Sequence, residues 1–274
     1  GIGMYQFSEF TCSPKININS TKSYYESHQT SYKSALEIGT LGLIFTLPLN
    51  NNEWKRINVG IGWNQLANYN NNINIKGENS TSSIVDTIVY ETNGTSVDEL
   101  TNGGGDSYYS QMAWNTYLID PLYDENGMID GKYVSNFSAS NKLQKEAIKS
   151  LGSMNEFVFT VGGSFKEKFY LGATIGVPSI NYYEFSEYTE SEINDTTNNL
   201  RKMIYEEEIS AYGIGYNIKV GAIIRLTDDF KIGASIHSPS FFNIEEDYNT
   251  SITTEFKDSI LNYTMGYITP FNYN

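Results

Sequence analysis

Residues Gly213 to Ser240 read GIGYNIKVGAIIRLTDDFKIGASIHSPS. In the first half Tyr216, Ile218, Val220, Ala222, Ile224 and Leu226 alternate with Asn217, Lys219, Gly221, Ile223 and Arg225. After Thr227-Asp228-Asp229 the beat resumes, with Phe230, Ile232, Ala234 and Ile236 set against Lys231, Gly233, Ser235 and His237. Successive side chains of a strand point to opposite faces. The stretch therefore reads as two strands joined by a tight acidic turn, each with one apolar face and one polar or tiny face.

The same alternation extends outward from this hairpin. Ile57, Val59, Ile61 and Trp63 oppose Asn58, Gly60, Gly62 and Asn64; Phe169, Leu171, Ala173, Ile175 and Val177 oppose Lys168, Tyr170, Gly172, Thr174 and Gly176. Eight strands are expected: Met4–Asn19, Ala35–Leu47, Lys55–Glu78, Met154–Phe165, Lys168–Phe185, Leu200–Leu226, Phe230–Asp247 and Thr250–Ile268. Their connections alternate in length. Tight turns at Lys166-Glu167 and Thr227 to Asp229, and a modest one at Pro48 to Trp54, interleave with polar excursions at Ser20 to Ser34, Asn79 to Ser153 and Ser186 to Asn199. Short turns on one side and long loops on the other are the layout of an outer-membrane barrel. The excursion over 79–153 reads as an external cap within a single domain spanning 1–274. Short helices are expected in it at Ser82 to Tyr90, Ser107 to Ile119 and Asn141 to Leu151, punctuated by Gly103-Gly104-Gly105 and by Pro121 to Gly131.

Composition narrows the class. No run of 18 apolar residues exists, which excludes a membrane-spanning helix, whereas a spanning strand needs only ~9–11 residues with every second one apolar. The low mean hydropathy, −0.39, therefore does not weigh against a barrel. Tyr 22 and Phe 14 suit interfacial belts. Trp54, Phe165, Phe169 and Phe230 flank the short turns, and Tyr69, Tyr182, Tyr183, Phe185, Tyr205 and Tyr212 lie toward the long loops. A net charge of −14 disfavours nucleic acid as a partner. Acidic runs at Glu206 to Glu208 and at Glu245, Glu246 and Asp247 read as solvated loop charge ahead of cation sites. Aligning Gly127 with the sharp turn of a calcium loop puts Leu122 and Tyr133 where acidic ligands belong, so no metal site is expected. The lone Cys12 reads as structural. The start at Gly1-Ile2-Gly3, without Met or a signal-peptide pattern, is read as processing of the ends and leaves location open.

The segment Gly213 to Ser240, a strand ending in a basic position, an acidic turn and a Gly-rich strand closing in Ser-Pro, resembles the FadL-type outer-membrane transporters. Gly1-Ile2-Gly3-Met4-Tyr5 is similar to the residues just after that family's Asn-Pro-Ala element, here missing. The gapped likeness covers most of the chain outside the cap, on motifs shared with many glycine-rich barrels. It implies a fourteen-stranded antiparallel transmembrane β-barrel in the bacterial outer membrane, an N-terminal hatch in its lumen and a lateral opening for hydrophobic ligand. The hatch and the remaining strands would lie outside the chain. The implied activity is passive uptake of long-chain fatty acids or other hydrophobic small molecules. The implied partners are that ligand, outer-membrane lipid and lipopolysaccharide.

On this basis the inward face is expected to present Asn58, Asn64, Lys219, Arg225 and His237 to ligand. Lys219 and Arg225 would orient a carboxylate unless nearby acids already pair them. Gly60 and Gly62 are candidates for a kink that opens the wall, or simply relieve crowding in a curved sheet. No cofactor is expected. No enzyme is expected either, since His237 and Ser238 are neighbours on a strand and point apart. Two other classes remain: a non-transport barrel acting as adhesin or assembly partner through its external loops, and a soluble β-sandwich binding carbohydrate.

Overall fold

A computed structural model of the chain describes residues 2–50, 53–103, 108–127, 129–137, 141–193 and 199–273, with side chains undescribed from 267 onward. Strands make up 71% of it and helices 10%, so the chain is all-β and mostly antiparallel. The strands are β1 (Glu9–Tyr25), β2 (Ser27–Pro48), β3 (Trp54–Asn68), β4 (Asn71–Asn79), β5 (Ile119–Tyr123), β6 (Ile129–Ser135), β7 (Lys142–Phe165), β8 (Phe169–Glu192), β9 (Leu200–Arg225), β10 (Lys231–His237), β11 (Phe241–Phe256) and β12 (Ile260–Tyr273). A 3₁₀ turn at Ile2–Met4 precedes them, and α1 (Ile84–Thr92), α2 (Val97–Asn102) and α3 (Tyr108–Asn115) lie between β4 and β5.

One ten-stranded sheet runs in the order β1-β2-β3-β7-β8-β9-β11-β12, with β4 continuing β3 along β7 and β10 preceding β11 along β9. Counting β3 with β4 and β10 with β11 as single positions leaves eight, as the alternation predicts. The sheet is open among the described residues: β1 and β12 end its path and do not pair with each other, and β10 and β4 are each paired along one edge only.

Four expectations are corrected. Ser20 to Ser34 is not a loop: β1 and β2 pair from Glu9–Ile44 up to Tyr25–Ser27, with Glu26 alone at the tip, φ 55°. Its Ser/Thr/Asn composition serves hydrogen bonding, since Asn19 donates to the Asn70 carbonyl just before β4 and Ser27 to the Lys76 carbonyl on the free edge of β4, at 2.6 Å each. Asn141 to Leu151 is not a helix but the upper half of β7, paired on both edges with β4 and β8; that double pairing overrides the helix propensity of Lys, Gln, Glu and Ala. Strand β8 runs on to Glu192, into the stretch expected as a loop, part of which (194–198) falls outside the described residues along with Gly104 and Gly105. The last hairpin turns at 257–259 rather than near Tyr248 and Asn249. Polar strands that rise above an apolar band carry no sequence mark that separates them from loops.

Short turns fall at 166–168 and 226–230, as expected. Lys166 and Glu167 both adopt left-handed φ, 51° and 54°, and the turn is held from outside: Lys166 N–H donates to the Glu53 carbonyl at 2.7 Å, and Arg56 pairs with Glu167 at 3.6 Å. In the cap, Ser83 and Ser96 form capping boxes with Asp86 and Glu99. The buried core of the molecule sits between cap and sheet, with Val85, Ile88, Leu100 and Met112 packed against Leu200, Met203 and Ile252.

One carboxylate joins cap to sheet. Glu190 of β8 is fully buried and accepts from Ser83 Oγ at 2.5 Å, Ile84 N–H at 2.9 Å, Tyr188 Oη at 2.7 Å and Gln144 Nε2 at 2.9 Å. It thus faces the N-terminus of α1, where negative charge is favoured. Glu190→Ala is expected to cost about 2–3 kcal/mol through four donors losing their acceptor, and to raise amide exchange in α1 well before that in β8. Hydrogen exchange read by mass spectrometry separates the two segments.

Candidate functional site

Registers between β7, β8 and β9 contain no shift, so residue parity fixes which face each side chain takes. The face carrying Glu190, Gln144 and Met203 under the cap is continuous with the face carrying Gly162, Gly172 and Lys219 near the short turns. We call it the inner face. In its lower half the lateral rows are Asn58–Gly162–Gly172–Gly221–Ser235, then Gly60–Thr160–Thr174–Lys219–His237, then Gly62–Val158–Gly176–Asn217. Asn64 stands beside Glu156 in the next row.

Four of the five expected ligand residues are therefore brought onto one surface in neighbouring rows. Arg225 is not among them. It lies at the rim by the acidic turn, paired with Asp228 at 2.7 Å, because the strand ends there and its side chain reaches across the three-residue turn. Lys219 is in the middle of the face but already has a counter-ion: its Nζ meets both oxygens of Glu156, at 2.8 and 2.7 Å. Asn217 donates to the same Glu156 at 2.9 Å and to Ser240 Oγ at 3.1 Å. Glu156 is almost wholly buried, and a Cβ on Gly176 would lie 2.5 Å from Asn217 Oδ1. The glycine is what lets this cluster close. His237 is exposed on the edge strand β10, across from Lys219.

Gly60 and Gly62 do not kink the wall. Both are paired without interruption, to Ile44 and Thr160 and to Gly42 and Val158. The wall loosens higher, where β2 stops pairing with β3 beyond Thr40–Asn64 and β3 shifts register between Gln65 and Ala67. Gly60, Gly162 and Gly172 instead make room for the N-terminal turn. A Cβ at Gly172 would lie 2.8 Å from Ile2 Cγ2, and Asn58, fully buried, donates to the Ile2 carbonyl at 2.7 Å. Beside this turn a trough of about 400 Å³ runs along Gly172, Gly221 and Gly233 to Lys219.

The opposite face inverts the usual order of burial. Val59 is 44% exposed, Phe159 55%, Ile175 54% and Val220 55%, while Asn58 and Ser164 behind them are fully buried. The apolar band on β8 runs from Phe169 to Val177 and gives way above to Ser179, Asn181 and Tyr183. At its lower rim Trp54 lies against Gly163 and meets Phe165 edge-on at 5.4 Å; at its upper rim Tyr216 and Phe241 are 5.4 Å apart. Of the aromatics expected at the upper rim, Tyr183 and Tyr212 share this outer face, whereas Tyr69, Tyr182 and Tyr205 turn inward. Position along a strand sets an aromatic's height, and parity decides its face.

Glu156 carries no motif in the sequence, although it stands in the same phase of MNEFVFTVGGSF as Thr160 and Gly162; a charge in the quiet phase of a strand is the available signal. Lys219→Met would strand the Glu156 carboxylate and is expected to cost about 3 kcal/mol, most of it recovered in the Glu156→Gln/Lys219→Met double variant. Gly162→Leu is expected to expel the N-terminal turn at a cost of about 1–3 kcal/mol, seen as protease cleavage before Glu9. Urea unfolding in detergent measures both. Comparison of the chain with protein-family models, with curated proteins and with solved structures finds no match.

Proposed function

We propose that the lower half of the sheet is the lipid-facing wall of a bacterial outer-membrane β-barrel, and that the protein admits hydrophobic small molecules passively along its inner face. The observation that carries this reading is the inverted burial. A dozen large apolar side chains, each roughly half exposed, leave on the order of 1,000 Å² of contiguous apolar surface, beyond the ~300–600 Å² of a soluble monomer's largest patch. The band from Phe169 to Val177 has the ~9–11-residue length that a tilted spanning strand needs. Aromatic pairs at both rims fit membrane interfaces. Lipid tolerates no unpaired strand edge. In the band the edges unpaired among the described residues are β1 and β10, so both need further partners in the membrane.

The inner face supports passage more than capture. Its glycine and threonine rows leave space, and its central cation, Lys219, is neutralised by Glu156. A fatty-acid carboxylate would have to displace Glu156, so uncharged hydrophobic compounds are accommodated at least as well as long-chain fatty acids. A second reading, binding of a partner through the external cap, draws on the cap's own packed core. A cap deletion that separates the two must stop short of Lys142, because β7 begins there.

Protein reconstituted in liposomes is expected to give saturable entry of a fluorescent hydrophobic probe above a protein-free control. Gly221→Phe should lower that entry several-fold. A Cβ at Gly221 meets nothing closer than 3.4 Å, so the larger side chain fills the trough without striking backbone. Entry equal to the control, with the protein inserted, would remove the transport reading and leave the cap as the working part.

A further inference from the structure

The β1–β2 hairpin is held in two different ways along its length. Below, β2 pairs with β1 on one edge and with β3 on the other, and the second ladder stops at Thr40–Asn64. At that level the first ladder is interrupted too. Ser13 faces Thr40 and Pro14 faces Ile38, so Gly39 is left over as a bulge opposite a residue with no N–H to give. On the other side β3 shifts register between Gln65 and Ala67. Three breaks at one height leave residues 15–38 as a two-stranded arm joined to the wall through a single narrow base.

Above that base the arm has no main-chain pairing with β4 among the described residues. It leans on that strand through side chains. Ser23 Oγ donates to the Asn74 carbonyl, Thr21 Oγ1 to Asn71 Oδ1 at 2.9 Å and Asn74 Nδ2 to Ser31 Oγ at 2.8 Å, beside the bonds from Asn19 and Ser27. The tip has a seat. Tyr25 lies over Gly77, where a Cβ would come within 2.5 Å of its ring, and its hydroxyl donates to Gln144 Oε1 at 2.6 Å and accepts from Asn79 Nδ2 at 3.1 Å. Gly77 and Gln144 share the inner-face row of Glu190, so the tip reaches over the wall onto that face. Beneath the arm is a polar chamber of about 700 Å³, with Asn19 and Thr21 on one side and Tyr69, Asn71, Ser150 and Tyr182 on the other.

A two-stranded arm keeps its own ladder wherever it points. Its position against β4 therefore rests on neutral side-chain bonds, each of small net worth because water replaces it, and on one ring in one glycine seat. We propose that residues 15–38 form a hinged lid that swings about Pro14 and Gly39, is closed when Tyr25 is latched over Gly77, and admits solutes to the chamber when open. On the transport reading the chamber is the upper entrance to the passage; the motion of the lid is defined without it.

Nitroxides at Lys22→Cys and at Ser34→Cys, both exposed on the arm, are each paired with one at Tyr90→Cys, exposed on α1, in a Cys12→Ser background. Pulsed electron resonance in detergent reads the two distances. Tyr25→Ala is expected to lengthen both, the one from position 22 more, because it lies farther from the hinge. Gly77→Leu, which denies the ring its seat, should do the same and serves as the second variant should Tyr25→Ala fail to fold. A thiol at Ser150→Cys, buried in the latched state, should react with a water-soluble maleimide several-fold faster in the Tyr25→Ala background, while one at Ser164→Cys, fully buried near the short turns, should not change. Distances that fail to lengthen, movement at position 22 alone, or unaltered reactivity of Ser150→Cys overturns the proposal. Equal acceleration at Ser164→Cys also overturns it, because the whole sheet would then have loosened. Because no liposome enters the measurement, failure here is distinguishable from failure of transport.

Discussion

The unbroken register of β7, β8 and β9 is the constraint on which everything else in this molecule rests. From Lys142–Glu192 down to Phe165–Phe169, and along β9 to the same turn, no bulge intervenes. A one-residue slip would carry every glycine of the inner rows to the outer face and every isoleucine of the outer band inward. It would also part Glu156 from Lys219 and Glu190 from α1. The tight turn at 166–168, with two residues in left-handed conformation held by Glu53 and Arg56, fixes that register at its lower end.

Along this frame the two faces divide by size and by polarity. The lower inner face is built from residues too small to fill it, so the N-terminal turn settles against Gly162 and Gly172, and one buried ion pair occupies the middle. The upper inner face is covered by the cap, whose apolar core depends on Leu200, Met203 and Ile252 from the sheet. Cap and sheet are thus one folding unit: removing the cap would bare the strands beneath it. On β7 and β8 the outer face is apolar in the lower half and turns polar above Phe157 and Val177, as the proposed wall standing partly in lipid and partly in water requires, whereas on β1 and β2 exposed Ile16, Ile18 and Leu36 carry apolar surface higher.

Much of this was legible in the sequence, unevenly. The strands of the lower sheet were, because one face is apolar and the other built from small or polar residues, which writes a period of two into GIGYNIKVGAII and FYLGATIGV. Their upward continuations were not. Above the band neither face has to be apolar, so Ser20 to Ser34 and Asn141 to Leu151 carry the composition of loops and helices while pairing as strands. The inner-face position of Asn58, Asn64, Lys219 and His237 followed from parity. What each side chain touches did not, since Glu156 meets Lys219 across two strand spacings and more than sixty residues of sequence. Arg225 shares the phase of Lys219, yet the end of its strand sends it to Asp228. A small cavity between α1 and the sheet was invisible for the same reason, since the Ile84, Tyr109, Tyr205 and Ile252 that line it come from four separate segments.

In the proposed arrangement the apolar lower face meets lipid and the face behind it does not. A nitroxide label at Ile175→Cys or at Thr174→Cys, each in a Cys12→Ser background and reconstituted in vesicles, tests it through collisions with oxygen and with a water-soluble nickel complex. The label at position 175 is expected to collide mainly with oxygen, as in hydrocarbon, and the label at 174 is not. Equal accessibility to the nickel complex at both positions would contradict it, and would return the sheet to water.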